Sequence, residues 1–249
     1  MSKTDVSITT RDGVCPAYVF KPEGASDPLP PVIVFMDAPA IRPAMFDLAQ
    51  RLADNGYYVL LPDLFYRDGP YEPQPIHKLF ADEESRKAIF AKMGKATNPD
   101  AAQADTQAFL DFLESQADVK PGKVGVTGYC MGGGLALRAA AAFPDRFAAA
   151  GAFHPGHLVT DAPDSVHKVA ADIRGKVLVG GAEEDAGFTA ENRAALQAAF
   201  DDAGVDGKVE LFDAKHGFVM TDTSVYDETA AERHWRELLA LFDETLKAA

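Results

Sequence analysis

KVGVTGYCMGGG, residues 123–134, reads as a short apolar strand that turns sharply at Cys130 and opens a helix. Within it, Gly128-Tyr129-Cys130-Met131-Gly132 is the G-x-S-x-G pattern of a nucleophile elbow with Cys in place of Ser. The glycines have a physical reason: the nucleophile sits on a strained bend, and small flanking residues let the chain pass close to neighbouring elements. A helix N-terminus carries partial positive charge and unpaired N–H groups, which favour a thiolate at Cys130. The N–H of Met131 points into the same space and is a candidate donor to an oxyanion. A buried Cys in a glycine-rich turn is the bland alternative, and the strand–bend–helix context favours the nucleophile. Cys15 has no such context and reads as structural.

Outward from the elbow, the chain alternates strand and helix. Upstream, 5–10 and 14–20 read as strands around an Asp12-Gly13 turn. VIVFM (32–36) and YYVLL (57–61) are short, continuous apolar runs suited to strands buried on both faces. Between them, 43–55 is helical, with Pro43 in its first turn and Asn55-Gly56 at its end. Residues 62–82 are a Pro- and aromatic-rich loop, followed by helices over 83–93 and 99–116. The irregular region 63–97 is expected to act as a lid or pocket wall. Downstream come a helix to about 142, a weakly signalled strand at 147–153, a strand at 175–181, a helix at 189–203, a strand at 208–213 and a helix over 225–247. This order predicts an α/β chain of one domain, residues 1–249. Its central sheet is mostly parallel, with helices on both faces and an antiparallel N-terminal hairpin at one edge.

A thiol in an elbow needs a base downstream, and in such sheets the chain order is nucleophile, acid, His. Of the six His, His216 (AKHGF) lies just after strand 208–213, at a strand's C-terminal end, and Gly217 lets the loop bend inward. The acid should follow strand 175–181. Glu183, Glu184 and Asp185 all qualify by composition, and Asp185 is favoured to orient the imidazole and stabilise its imidazolium. His154 and His157 (HPGH) follow the strand at 147–153. Their spacing is not that of H-E-x-x-H, so a pocket wall or plain loop is expected rather than a metal site. Asp37 closes strand 32–36, either facing the elbow or capping a turn, and the N–H of Ala38 is placed to be a second oxyanion donor. Arg42, Tyr129, His154 and Phe218 are expected to line the substrate site.

Composition narrows the partners. The 249 residues carry 24 Lys+Arg against 38 Asp+Glu, a net charge of −14, which repels nucleic acid and anionic lipid. Residues 1–10 hold no apolar run, and no stretch approaches roughly 18 consecutive apolar residues, so neither a signal peptide nor a membrane span is expected. Two cysteines do not make a secreted disulfide framework. The expectation is a cytoplasmic monomer or homodimer with no cofactor and no metal.

With Cys130, Asp185 and His216 in that order, the chain resembles the dienelactone hydrolase family (carboxymethylenebutenolidases) of the α/β-hydrolase superfamily. The resemblance runs from VIVFMDAP to the C-terminal helix. It is most specific at GYCMGG and HGF, and YYVLLPD with Gly56 adds to it. It implies a small ester or lactone opened by acyl transfer to the thiolate, with water clearing the thioester. It also implies that a carboxylate at the end of the early strand holds the resting thiol. That place is taken here by Asp37, where the best-known members carry Glu. The family's carboxylate-binding Arg, four residues past the His, is here Met220, which fits a neutral or larger ester as well as an anionic lactone. Competing readings are a non-catalytic scaffold of the same fold and a redox or thiol-transfer enzyme; the latter lacks a Cys-x-x-Cys pair.

Overall fold

Alternating exposed and buried residues open the chain as a hairpin of β1 (Lys3–Thr10) and β2 (Gly13–Phe20), with Thr10 opposite Gly13. The two turn residues are therefore Arg11 and Asp12, one position earlier than the sequence suggested. Gly13, at φ 145°, is the first residue of β2. The structure is a computed structural model that describes residues 3–73, 76–79 and 81–248. Gln74, Pro75 and Phe80, in the stretch read as irregular, lie outside the described residues. The chain divides into two units, Met1–Lys120 and Pro121–Ala249.

In the first unit, β3 (Pro31–Phe35) and β4 (Tyr58–Pro62) are parallel and buried at every position, as their unbroken apolar runs require. α1 (Pro43–Asp54) joins them. β4 pairs antiparallel with β2, so the strand order is β1-β2-β4-β3. The region 63–97 has more helix than expected. After one 3₁₀ turn come α2 (Ile76–Leu79) and α3 (Glu83–Ala96), three residues longer than read from sequence. α4 (Pro99–Glu114) follows, capped by Asn98 with Pro99 in its first turn. Asp105 of α4, 2% exposed, accepts hydrogen bonds from the Tyr66 hydroxyl and from both terminal nitrogens of Arg67, each at 2.8 Å. Arg67 also bonds Asp12, so one guanidinium ties the segment after β4 to the hairpin turn and to α4. Cys15 is fully buried nearby, its Sγ directed at the carbonyls of Pro16 and Asp63.

The second unit is β5 (Val124–Tyr129), α5 (Met131–Ala142), β6 (Phe147–Phe153), α6 (Val166–Val169), β7 (Lys176–Ala182), α7 (Ala190–Ala203), β8 (Gly207–Phe212) and α8 (Glu228–Phe242). Its strands are parallel in the order β5-β6-β7-β8. The Ala-rich 147–153, a weak strand signal, forms all of β6. Its small residues serve close helix packing on both faces. A Cβ on Gly151 would meet Leu238 of α8 at 3.0 Å, whereas Ala152, pointing to the opposite face, lies under Gly133 of α5. α7 starts in a Thr189–Asn192 capping box and ends at left-handed Gly204, as the sequence placed it.

Candidate active site

The C-terminal ends of β5, β6, β7 and β8 each deliver a chemically capable side chain. At the end of β5, Cys130 has φ 53° and ψ −116°, a left-handed conformation that costs a non-glycine residue strain. Its N–H donates to the Phe153 carbonyl at 3.1 Å, and its own carbonyl accepts from Gly133 N–H at 3.1 Å. The bend is tight enough that a Cβ on Gly128 would lie 1.9 Å from the Gly132 carbonyl oxygen. Glycine is therefore obligatory at 128. Cys130 is a partly exposed free thiol at the N-cap of α5.

His216 stands in the turn after β8, where Phe218 N–H donates to Lys215 O and Gly217 has φ 99°. Its Nδ1 lies 2.6 Å from Oδ2 of Asp185, and the Asp185 Oδ1 accepts from Gly187 N–H at 2.9 Å. The Asp185 side chain is 7% exposed and that of His216 38%. Burial alone would lower the His216 pKa, but hydrogen bonds to Asp185 and to Cys130, with the charges on both, raise it to about 10. Burial pushes Asp185 upward, yet bonding and charge from His216, the Gly187 N–H and the charge of His157 leave it below the usual carboxylate range. Of the three adjacent acids, Asp185 is thus the one brought to the imidazole. Glu183 and Glu184 are exposed, and Glu183 shares a hydrogen bond with Asp213 that raises its pKa.

Sequence reasoning missed one support, the Gly187 N–H, and did not foresee the ring contact made by His154. Gly187 N–H fixes the second carboxylate oxygen. The ring of His154, placed on the wall of the site by sequence, packs 5.2 Å from that of His216. A carboxylate followed by a glycine two residues on is the signal that marks such a turn. Tyr129 and Phe218, expected to line the substrate site, have no exposed surface. Tyr129 directs its hydroxyl to His234 Nε2 at 3.0 Å and stacks on Phe153, while Phe218 stacks on Phe212. Both are core residues because aromatic neighbours surround them. Met220 is also buried, at 1%.

In the first unit, Asp37 and Arg42 form a buried fork-to-fork ion pair. Arg42 Nη1 and Nη2 meet the two carboxylate oxygens at 2.6 and 2.9 Å, and Nη1 also reaches the Ala40 carbonyl at 3.1 Å. Arg42, 4% exposed, is an internal counter-charge for Asp37 and not an exposed cation awaiting an anionic ligand. Ala38 follows directly and is buried. Among the described residues, no three His, Cys, Asp or Glu side chains gather as a metal site, and no helix is long and apolar enough to cross a membrane.

A model of the dienelactone hydrolase family matches residues 15–246. A protein of Methylorubrum extorquens named "Putative carboxymethylenebutenolidase" is 31% identical over 188 residues, which are 72% of this chain and 60% of that protein, less than two thirds of its length. A protein of the same name from Escherichia coli K12 is 28% identical over 247 residues, 96% of this chain and 85% of the relative. Among solved structures, the dienelactone hydrolase-like promiscuous phosphotriesterase P91 from metagenomic libraries superimposes with a TM-score of 0.74. It is 27% identical and covers 99% of this chain and 100% of its own.

Proposed function

This chain belongs to the dienelactone hydrolase family of α/β-hydrolases, and on that premise we propose that it hydrolyses a small, uncharged ester or lactone through Cys130, His216 and Asp185. The observation that carries the reading is the imidazole of His216, whose Nδ1 lies 2.6 Å from the Asp185 carboxylate and whose pKa both Asp185 and Cys130 raise.

The chemistry follows from the roles these groups can hold. His216 takes the thiol proton, and Asp185 stabilises the imidazolium without accepting that proton. The Cys130 thiolate adds to the carbonyl carbon, and the oxyanion is met by Met131 N–H at the start of α5. Collapse expels the alkoxide, which leaves with the proton from His216, and a thioester remains. Water then adds to the thioester as His216 removes its proton. The acid departs, and the proton returns to Cys130.

Three observations favour an uncharged substrate. Met220 stands where the resemblance leads one to expect an arginine, Arg42 is already neutralised by Asp37, and the chain's net charge of −14 repels anions. The relative P91 is described as acting on phosphotriesters, which are also uncharged. The match of one family model over residues 15–246 supports a single catalytic domain. The free thiols and the acidic charge fit a cytoplasmic location. The test is turnover of aryl esters, lactones and a neutral phosphotriester by wild type and Cys130→Ala, with mass spectrometry of rapidly quenched wild type. Loss of turnover in the variant and an acyl adduct on Cys130 are expected; unchanged turnover in Cys130→Ala would overturn the reading.

A further inference from the structure

The non-glycine residues with positive φ among the described residues are Ala40, Cys130, His154, His157 and Glu184, and each follows closely on the C-terminal end of a strand. Strain of this kind persists where surrounding structure enforces it, and it gathers at working sites. His154, with φ 37°, is the buried histidine of the group, at 1% exposure. Glycine would hold that backbone at less cost, so the side chain itself has a use there.

We propose that His154 is a positioning residue whose ring walls the inner side of the His216 imidazole and keeps its plane aligned between Asp185 and Cys130. This rests on the triad assigned above. The two ring centroids are 5.2 Å apart at 63°, an edge-to-face contact, and Phe218 also packs on His154 at 5.4 Å and 76°. The wall is itself anchored. His154 N–H donates to the Gly180 carbonyl at 2.8 Å, Pro155 fixes the next backbone angle, and the preceding carbonyl, of Phe153, holds the N–H of Cys130.

The geometry explains why a wall is needed. One hydrogen bond from Nδ1 to Asp185 leaves the imidazole able to turn about that bond, and rotation carries Nε2 away from the sulfur. The His216 side chain is 38% exposed, so its outer side is open. Packing against His154 limits the swing on its inner side. The ionisable groups around the ring are Cys130 after β5, His154 after β6 and Asp185 after β7, with His157 acting on Asp185. Of these, His154 is the one that meets the ring by packing.

The experiment compares His154→Phe, which keeps a ring, with His154→Gln, which keeps polarity but loses the ring. Steady-state rates are expressed per alkylatable Cys130 thiol, so any misfolded fraction drops out. Misplacing a catalytic group by about 1 Å can cost roughly 100-fold, so His154→Gln should lose about tenfold or more in kcat with KM within about twofold. It should slow iodoacetamide alkylation of Cys130 near pH 6 by a similar factor, while His154→Phe stays within about threefold of wild type. Wild-type kcat in His154→Gln, or equal losses in both variants, would overturn the proposal. A Cys130→Ala protein that still turns over would instead overturn the triad, so the two failures are told apart.

Discussion

The Asp185 carboxylate is held at both oxygens: Oδ2 lies 2.6 Å from His216 Nδ1, and Oδ1 accepts the Gly187 N–H at 2.9 Å. The imidazole therefore meets a carboxylate that cannot rotate away, and Nδ1 must be its protonated nitrogen. Nε2 is the nitrogen left free of Asp185, and in the proposed mechanism it exchanges the proton with Cys130.

Replacing Asp185 by Asn should test this most directly. The amide keeps the shape but is free to present its NH₂ to Nδ1, selecting the wrong tautomer. A loss of about 10²- to 10⁴-fold in kcat is expected, with little change in KM. Steady-state kinetics on an aryl ester would measure it, and a kcat within about threefold of wild type would show that Asp185 does not orient the base.

The same pair sets a pH window for stability. The folded pKa of His216, about 10, lies above the roughly 6.5 of an unfolded histidine. Its contribution is therefore full below about pH 6.5 and drains away as pH rises through about 10. Asp185 is shifted downward, so its contribution is full above about pH 4 and is lost as pH falls through its folded value. Melting temperatures of wild type and His216→Gln from pH 4 to 10 should differ most near pH 5–6 and converge toward pH 10. A difference that grows with pH would contradict the assignment.

Gly128→Ala adds one methyl group at a point 1.9 Å from a backbone oxygen. No rotamer relieves that overlap, so the elbow must open. A destabilisation on the order of 4 kcal/mol or more is expected, or failure to fold. Urea denaturation read by circular dichroism would show it. A stable Gly128→Ala protein would mean that the bend is looser than described.

Arg42→Ala leaves the Asp37 carboxylate buried with its fork removed. Breaking one side of a buried pair costs about 3–5 kcal/mol, and a shift of that size in chemical denaturation is expected. Arg42→Lys should recover only part of it, because an ammonium cannot engage both oxygens side by side. Recovery of full stability by Lys would show that charge alone matters at this position.

What was legible in the sequence is what short-range chemistry dictates. The Gly-x-Cys-x-Gly bend is forced by backbone contacts within a few residues, and the places of Asp185 and His216 follow from strand order. The continuous apolar runs of β3 and β4 announced strands buried on both faces. What stayed hidden depends on partners distant in sequence. Arg67 and Tyr66 find Asp105 almost forty positions away, and no periodicity encodes that pairing. Asp37 and Arg42 are close in sequence, but neither residue type says whether the pair is buried. Tyr129 and Phe218 were expected beside the substrate, yet partners distant in sequence, His234 and Phe153 for Tyr129 and Phe212 for Phe218, hold both in the core. Residues 62–82 were read as loop because of their prolines, and the short α2 within them carries no signal; α3, expected over 83–93, runs on to Ala96 from its Asp82 cap.

Cys15 gives the chain a practical property. Its sulfur is sealed inside the first unit, and burial drives its pKa far up, so the folded protein presents a single reactive thiol. Mild thiol reagents added to native protein should therefore count working centres one for one. Denaturant should release the other equivalent, so each preparation carries its own internal calibration of how much of it is intact.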